Sequence, residues 1–224
     1  MKLYMHPISN TSRPVRLYIA ENHLPVDEEV VDLFTGAHYK EPYISMNPNH
    51  MVPMLEDGDF RLTESSAILK YLAGRFEQPH YPRDLKQRAK VDEMMDWFNT
   101  QFYRDFAYGV AYPQIFGTHK RPTDEIQKGT IAWGQERATD WFQILDKHWI
   151  GPDRQYLLGD EITIADYFGG CLATIGEVIR CDFERYPNVN RWIGNLKRLK
   201  SWASVNEVMY GFASSLKDQP FQAV

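Results

Sequence analysis

The sequence predicts an α/β domain followed by an all-α domain. Strand and helix patterns alternate over the first third of the chain, and only helical periodicities follow a linker that contains two prolines. A chain of 224 residues, of which 43% are hydrophobic, suffices for one large domain or two small ones. We therefore divide the chain into an α/β domain at 1–77, a linker at 78–84 and an all-helical domain at 85–224.

The α/β domain has the predicted order β-α-β-α-β-β-α. The predicted elements are strands at 3–5, 26–31, 52–55 and 60–62 and helices at about 12–22, 42–46 and 63–72. Residues 26–31 alternate apolar and charged side chains, as a half-buried strand does. Asp57-Gly58 is a two-residue hairpin signal between the last two strands. This order indicates one mixed sheet with a parallel pair and a hairpin.

The helical domain begins with a long helix that has two patterned faces. One face carries apolar residues and is predicted to be core. The other face mixes aromatic and polar groups, as the wall of a cleft does, and consists of Trp97, Gln101, Arg104, Tyr108 and Tyr112. Thr123 and Thr163 predict helix N-caps, the latter with Asp166 in a variant of the capping box. Residues 218–224 are expected to form a loose tail.

Composition and charge exclude several classes of protein. The net charge of −5 argues against a general nucleic-acid binder, which needs a basic face. No apolar run approaches the length of a transmembrane helix, and the first residues lack the pattern of a signal peptide. Two cysteines, without a CxxC motif, fit a reducing cytoplasm. We assign no metal site, and we expect no nucleic-acid or membrane partner.

The stretch from Tyr4 to Arg16 carries the strongest functional signal. A short apolar run ends at His6-Pro7, small hydroxyl and amide residues follow, and a helical pattern then begins. This predicts a strand, a tight loop that contains Ser9, and a helix N-terminus. Free backbone N–H groups and the positive end of the helix dipole make such a place suitable for an anion.

Several motifs together resemble those of cytosolic glutathione transferases of the serine type, namely the phi, theta and related bacterial enzymes. They are His6-Pro-Ile-Ser9 with Arg13, the loop 36–42, the segment 47–58, Glu64-Ser65-Ser66-Ala-Ile68, and the cap at 163–166. Each is weak alone, but all five occur in order over nearly the whole chain. The resemblance implies a thioredoxin-like N-terminal domain, glutathione as co-substrate, and a two-fold homodimer.

The resemblance also implies roles for individual residues. Ser9 is the candidate catalytic residue that donates a hydrogen bond to the glutathione thiolate, with Ser12 as a competing hydroxyl and Arg13 as a structural residue. The implied glutathione-binding residues are His38, Lys40, Met51, Val52, Pro53, Glu64 and Ser65. Val52-Pro53 resembles the family's cis-proline turn. Tyr39 and Met51 depart from the phi-like pattern, which weakens the expected contact with the glycyl end of glutathione.

The second substrate is expected between the domains. Its candidate residues are Ile8, Trp97, Gln101, Arg104, Tyr108, Tyr112 and Phe116. The predicted function is transfer of glutathione to a small hydrophobic electrophile, with dehalogenation and hydroperoxide reduction as alternative chemistries. A further alternative is a binding or interaction protein of the same fold with little turnover. A thiol–disulfide oxidoreductase is disfavoured because no cysteine lies near position 9.

Overall fold

The computed structural model describes residues 1–224 and contains one four-stranded mixed sheet in the order β2-β1-β3-β4. The strands are β1 Lys2–Met5, β2 Asp27–Val30, β3 Met54–Asp57 and β4 Phe60–Thr63. β1 pairs parallel with β2 and antiparallel with β3, and β3 pairs antiparallel with β4. Gly58 has a φ of +64° in the turn that joins β3 to β4, as the hairpin signal requires. The predicted order and the mixed sheet are confirmed.

β2 differs from its prediction. The half-buried alternation expected over 26–31 is absent from the strand itself, because all four residues of Asp27–Val30 are exposed. Only the flanking Val26 and Val31 are buried. β2 is an edge strand, and its charged side chains protect the open edge from pairing with other chains.

Helices surround the sheet and, with the loops that connect them, make up the rest of the chain. They are α1 Ser12–Glu21, α2 Tyr43–Met46, α3 Ser65–Arg75, α4 Leu85–Trp97, α5 Arg104–Phe106, α6 Tyr112–Ile115, α7 Asp124–Ile144, α8 Ile164–Ala173, α9 Ile175–Val178, α10 Pro187–Lys197 and α11 Trp202–Ser215. Wide π-type turns at Phe98–Tyr103 and Ala107–Ala111 join α4, α5 and α6 into one long, interrupted helix. All strands lie before residue 64, so the predicted α/β plus all-α architecture is confirmed.

Two predicted helix caps are present. The Thr123 hydroxyl accepts a hydrogen bond from the Ile126 N–H at 3.3 Å. Thr163 and Asp166 form the reciprocal capping box at the start of α8. The fully buried Asp166 carboxylate also accepts hydrogen bonds from the Leu157 N–H at 2.8 Å and the Trp192 indole at 3.0 Å. It therefore ties α8 to the preceding loop and to α10.

One hydrophobic core runs through both parts of the molecule. A continuous cluster of 50 buried residues extends from Leu3 in β1 to Val224. α1 packs on α8 with its buried residues Val15 and Leu17 in this cluster. A smaller cluster, which includes Tyr4 and Met54, forms a separate core within the N-terminal part.

The last residues are bound to the helical domain, and the prediction of a loose tail is wrong. The Arg180 guanidinium donates to the backbone carbonyls of Lys217 and Gln219. The Gln114 side chain exchanges two hydrogen bonds with the backbone of Gln222, at 3.0 and 2.8 Å. None of the helices is long and apolar enough to cross a membrane.

Candidate functional site

A cleft of about 140 Å³ lies between the sheet side of the N-terminal domain and the long interrupted helix. It is lined by Thr11, Asn47, Asn49, Met51, Val52, Pro53, Thr63, Glu64, Ser65, Asn99, Tyr103 and Tyr108. Six predicted site residues are therefore brought together there, namely Met51, Val52, Pro53, Glu64, Ser65 and Tyr108.

Ser9 reaches the cleft through a chain of hydroxyl groups. The Ser12 N–H donates to the Ser9 hydroxyl at 3.2 Å, and the Ser9 and Thr11 hydroxyls are 3.1 Å apart. The Thr11 hydroxyl donates to the Val52 carbonyl at 2.9 Å. Since a hydroxyl has one hydrogen to donate, Ser9 is the donor to Thr11. The chain runs from the N-terminus of α1 to the wall of the cleft.

Ser12 occupies a different environment from Ser9. Its side chain is fully buried and its hydroxyl makes no hydrogen bond, whereas Ser9 is partly exposed. A buried hydroxyl cannot contact a ligand that enters from the cleft. Of the two hydroxyls, only that of Ser9 is connected to the cleft by hydrogen bonds.

Val52 presents a free backbone donor beside the cleft. The Val52–Pro53 bond is cis, as the resemblance implied, and the Val52 N–H donates to no other group. The preceding loop is fixed because Asn47 and Tyr43 both donate to the Met51 carbonyl, at 2.7 and 2.5 Å. A backbone N–H held in this way can pair with an extended peptide that lies along the cleft.

Glu64 and Ser65 lie at the N-terminus of α3. Ser65 is buried, and its hydroxyl donates to the Thr11 carbonyl at 2.7 Å. Glu64 has a φ of +66° and is exposed. The first N–H groups of a helix have no partner within it, so this end of α3 offers donors to a carboxylate, while the Glu64 carboxylate can accept an ammonium group.

His38 and Lys40 lie outside the lined cleft. The His38 ring contacts Tyr39 with ring centroids 4.0 Å apart, and Tyr39 in turn contacts His50, next to Met51. Burial lowers the pKa of His38, and the charge of His50 lowers it further. Lys40 is exposed and donates to the Thr35 carbonyl at 3.1 Å, away from the cleft.

Two tyrosines form the wall on the helical side, and a third, Tyr112, contacts one of them from behind. Tyr103 and Tyr108 line the cleft, and the Tyr103 and Tyr112 hydroxyls are 2.5 Å apart. Burial raises the pKa of all three phenols, so each is a neutral donor near neutral pH. The π-type turns place Tyr103 and Tyr108 on the same side, and such turns are frequent at functional sites.

The structure does not bring the other predicted substrate residues to this cleft. Trp97 is buried beside Trp141, with ring centroids 6.0 Å apart. Arg104 turns to Asp105 at 2.6 Å, on the side of Trp141. Ile8 and Tyr112 are buried, and Phe116 stacks on Phe212. Gln101 is half-buried, and its side chain makes no hydrogen bond. None of these residues lines the cleft.

Sequence reasoning missed several residues of the cleft. Thr11 belongs to the hydroxyl cluster at 9–12, and its position between Ser9 and Ser12 is a sequence signal for a site residue that the prediction did not use. Tyr103 and Asn99 lie four residues apart on the long helix, a spacing that places them on one face, but Tyr103 was not singled out. Asn47, Asn49 and Thr63 carried no signal beyond their loop positions.

A larger groove of about 1020 Å³ lies along the linker and the start of α4. Arg83 pairs with Glu77 at 2.9 Å and Lys90 pairs with Glu93 at 2.6 Å, whereas Arg154 donates to the Trp149 carbonyl at 2.8 Å. It contains none of the predicted site residues. We therefore place the candidate site in the smaller cleft.

Comparisons with known proteins agree with this architecture. Residues 3–80 match the glutathione S-transferase N-terminal domain, and residues 114–199 match the glutathione S-transferase C-terminal domain. The chain is similar to human glutathione S-transferase theta-1, with 31% identity over 204 residues that cover 86% of this chain and 80% of that one. It is 31% identical to the Bos taurus theta-1 enzyme, over 94% of this chain and 85% of the other.

Solved structures show the same similarity. Human glutathione transferase theta-2, in complex with glutathione and an unknown ligand, aligns with a TM-score of 0.82 and 25% identity, over 99% of this chain and 92% of that chain. A glutathione transferase homologue from Drosophila mojavensis with bound glutathione aligns with a TM-score of 0.82 and 28% identity, over 98% of this chain and 97% of that chain.

The fold and the cleft define a two-domain protein with a thioredoxin-like N-terminal domain and a helical C-terminal domain. With these relatives, the chain belongs to the glutathione S-transferase family. The predicted enzyme class, a transferase with glutathione as co-substrate, is confirmed.

Proposed function

We propose that Ser9 activates the glutathione thiol and that the thiolate then attacks a small electrophile at the tyrosine wall. The observation that carries this proposal is the hydroxyl chain from Ser9 through Thr11 to the Val52 carbonyl, which ends at the cleft. In the free protein the Ser9 hydrogen points to Thr11. When glutathione binds, the Ser9 hydroxyl turns and donates its hydrogen to the glutathione sulfur.

The chemistry follows from the location of Ser9. A free thiol has a pKa of about 8.5, so little of it is thiolate at neutral pH. A hydroxyl donor and the positive end of α1 both favour the anion over the thiol and lower the thiol pKa. The thiolate is the nucleophile that forms the new carbon–sulfur bond.

The rest of the cleft fits the remaining parts of glutathione. We assign the free Val52 N–H to the cysteinyl backbone, and Ser65 and Glu64 at the start of α3 to the γ-glutamyl carboxylate and ammonium. His38 is the candidate for the glycyl carboxylate. Lys40 would have to release the Thr35 carbonyl to take part.

The electrophile is proposed to lie against Tyr103 and Tyr108. Their neutral phenols are hydrogen-bond donors toward a substrate oxygen or a leaving group. Conjugation is the first assignment because relatives named glutathione S-transferase theta cover most of the chain. Dehalogenation and hydroperoxide reduction use the same thiolate and are distinguished by assay.

Assembly and location are proposed on narrower grounds. A two-fold homodimer is the usual assembly of the family that the sequence resembles. A cytoplasmic location is supported by the cysteines, since Cys171 and Cys181 are both free thiols. Size-exclusion chromatography with light scattering tests the dimer, and a monomer at working concentration would contradict it.

The first test measures the ultraviolet thiolate absorbance of bound glutathione between pH 5 and 9. We expect a bound thiol pKa well below about 8.5 in the wild type. Ser9→Ala should raise the pKa of the bound thiol and lower kcat/KM by about 10²–10³-fold. Ser12→Ala should change neither the thiol pKa nor kcat/KM by much. Absence of a thiolate signal and of turnover with a panel of electrophiles would instead support a binding protein.

A further inference from the structure

Arg13, which the sequence predicted as structural, is a fully buried guanidinium with neutral partners only. It donates to the side-chain oxygens of Asn10 at 2.5 Å, Asn206 at 2.8 Å and Thr174 at 3.3 Å. It also donates to the Cys171 carbonyl. These partners belong to α8, α11 and the loop before α1.

No carboxylate compensates the charge of Arg13. Arg13 forms no ion pair, and its Nε has no hydrogen-bond partner. One turn later, Arg16 shows the ordinary arrangement, with its guanidinium 3.0 Å from the Glu28 carboxylate. Burying an unpaired charge is costly, and an arginine does not escape that cost by losing its proton.

The titratable groups that feel the charge of Arg13 are neutral near pH 7. Burial raises the pKa of Cys171 to about 11 and of Tyr210 to about 12, and raises that of Tyr112. The charge of Arg13 acts in the opposite direction on each pKa and does not overcome burial. The carboxylate of Glu177 also acts on Tyr210, but it is paired with Lys197 at 2.5 Å and forms no ion pair with Arg13.

The charge lies next to the candidate thiolate site. The backbone N–H of Arg13 donates to the Ser9 carbonyl at 3.0 Å, so Ser9 is joined to the start of α1 at the turn that leads into the helix. The guanidinium holds the side chain of Asn10, the residue directly after Ser9. Asn10 is itself 4% exposed, so little water lies between the charge and Ser9 to screen it.

We propose that the uncompensated charge of Arg13 stabilises the glutathione thiolate through space, in addition to the Ser9 hydroxyl. This rests on the proposed function, since it presumes that the thiolate forms beside Ser9. Arg13 does not touch the sulfur. It acts as an electrostatic residue, and through Asn10 as a positioning residue.

The size of the effect follows from Coulomb's law. Two unit charges about 10 Å apart at an effective dielectric constant of about 20 interact strongly enough to shift a thiol pKa by about one unit. A shift of this size changes the thiolate fraction near pH 6.5 by up to about tenfold.

The test neutralises Arg13 without removing it. Asn206→Asp is nearly isosteric and places a carboxylate beside the Arg13 guanidinium, at the present 2.8 Å contact. We expect the pKa of the bound thiol to rise by about one unit, and activity at pH 6.5 to fall by up to about tenfold and recover at pH 8.5. The melting temperature should change little, because the new ion pair with Arg13 offsets the lost hydrogen bond from the Asn206 amide to the Trp202 carbonyl.

The matched control is Asn195→Asp. Asn195 is also buried and also accepts a hydrogen bond from an arginine, Arg198 at 2.5 Å, but it lies in α10 and does not line the cleft. It should leave the thiol pKa unchanged. Arg13→Met is the second variant and, where it folds, should raise the thiol pKa by the same amount as Asn206→Asp.

Each outcome decides the question. An unchanged thiol pKa in folded Asn206→Asp, with a low value in the wild type, would overturn the role of Arg13 and leave that of Ser9 intact. A wild-type bound thiol pKa near about 8.5 would instead overturn the proposed function itself. An equal rise in both Asn→Asp variants would assign the effect to net charge and refute the inference.

Discussion

Thr11 connects two parts of the site that the sequence suggested separately. Its hydroxyl joins Ser9 to the Val52 carbonyl, and its own carbonyl accepts from Ser65 at 2.7 Å. One residue thus connects Ser9, the Val52 segment and the start of α3 in a fixed arrangement. Fixed donors stabilise a developing anion better than mobile ones because they need no reorganisation.

Replacing Thr11 should weaken glutathione binding. Thr11→Val keeps the shape but removes both hydroxyl contacts, so the KM for glutathione should rise about fivefold, as expected for the loss of about 1 kcal/mol. Thr11→Ser keeps the hydroxyl and serves as the control, with a KM near that of the wild type. Equal KM values in steady-state kinetics of Thr11→Val and wild type would refute the role of Thr11.

His38 makes the affinity for glutathione analogues dependent on pH. Burial is the main cause that lowers the pKa of His38, and the charge of His50 lowers this pKa further. The ring is therefore mainly neutral at pH 7. A carboxylate bound to the ring favours the protonated form, so affinity should increase as the pH falls below 7, by at most about tenfold per pH unit. Calorimetry with S-methylglutathione avoids ionisation of the thiol. His38→Asn should bind with much flatter pH dependence, and a wild-type curve equally flat would exclude His38 from the glycyl subsite.

At the level of elements, α8 packs closely against the long interrupted helix. A Cβ atom built at Gly169 would collide with the ring of Phe98, which is fully buried. Glycine is therefore required here by the close approach of the two helices. By contrast, Gly194 in α10 faces open space.

These two glycines give opposite predictions for the same substitution. Gly169→Ala should lower the free energy of unfolding by about 1–3 kcal/mol because the buried ring must move. Gly194→Ala should raise it by about 0.4–1 kcal/mol, because alanine has fewer unfolded conformations and favours the helix. Urea denaturation followed by circular dichroism measures both. A stabilising effect at Gly169 would show that the helices can separate freely.

The long interrupted helix also shows where sequence prediction was limited. Element order and caps were predictable because the hydrophobic period, turn residues and caps such as Thr163 are local signals. Val52, Glu64 and Ser65 were predictable because each belongs to a motif. The face of the helix that lines the cleft was not predictable in this way, because the prediction assumed an ordinary α-helical period. Trp97 and Tyr108 are separated by π-type turns that change the phase of that period. The bound tail depends on Arg180, a long-range contact without a local signal.

In the whole molecule, the core joins the two domains. The cluster of 50 buried residues continues from β1 into the helical part, and Arg13 bonds to α8 and α11. α1 would expose Tyr18, which is fully buried and whose ring lies 5.1 Å from that of Tyr167 in α8, if the helical domain were removed. The N-terminal domain is thus stabilised by its neighbour as well as by its own sheet.

The full chain is therefore expected to unfold in one cooperative transition. All six tryptophans lie at position 97 or later, so tryptophan fluorescence reports only on the helical domain, whereas far-ultraviolet circular dichroism reports on both. The two melting curves should coincide. A fragment of residues 1–77 should show no cooperative transition. Separate transitions, or a stably folded fragment, would show that the shared core is not needed.

The π-type turns at 98–103 and 107–111 have a consequence for divergence among related enzymes. Each wide turn accommodates an extra residue in the helix. Deleting one residue within such a turn would remove the bulge and restore the ordinary α-helical period there, while the side chains beyond the turn keep their directions because the bulge had absorbed the extra residue. A single-codon deletion at 98–103 would then change the lining at the turn itself, including Tyr103, while the hydroxyl chain at Ser9 stays in place. The substrate wall can therefore change by length variation alone, without any substitution at the residues proposed to hold glutathione.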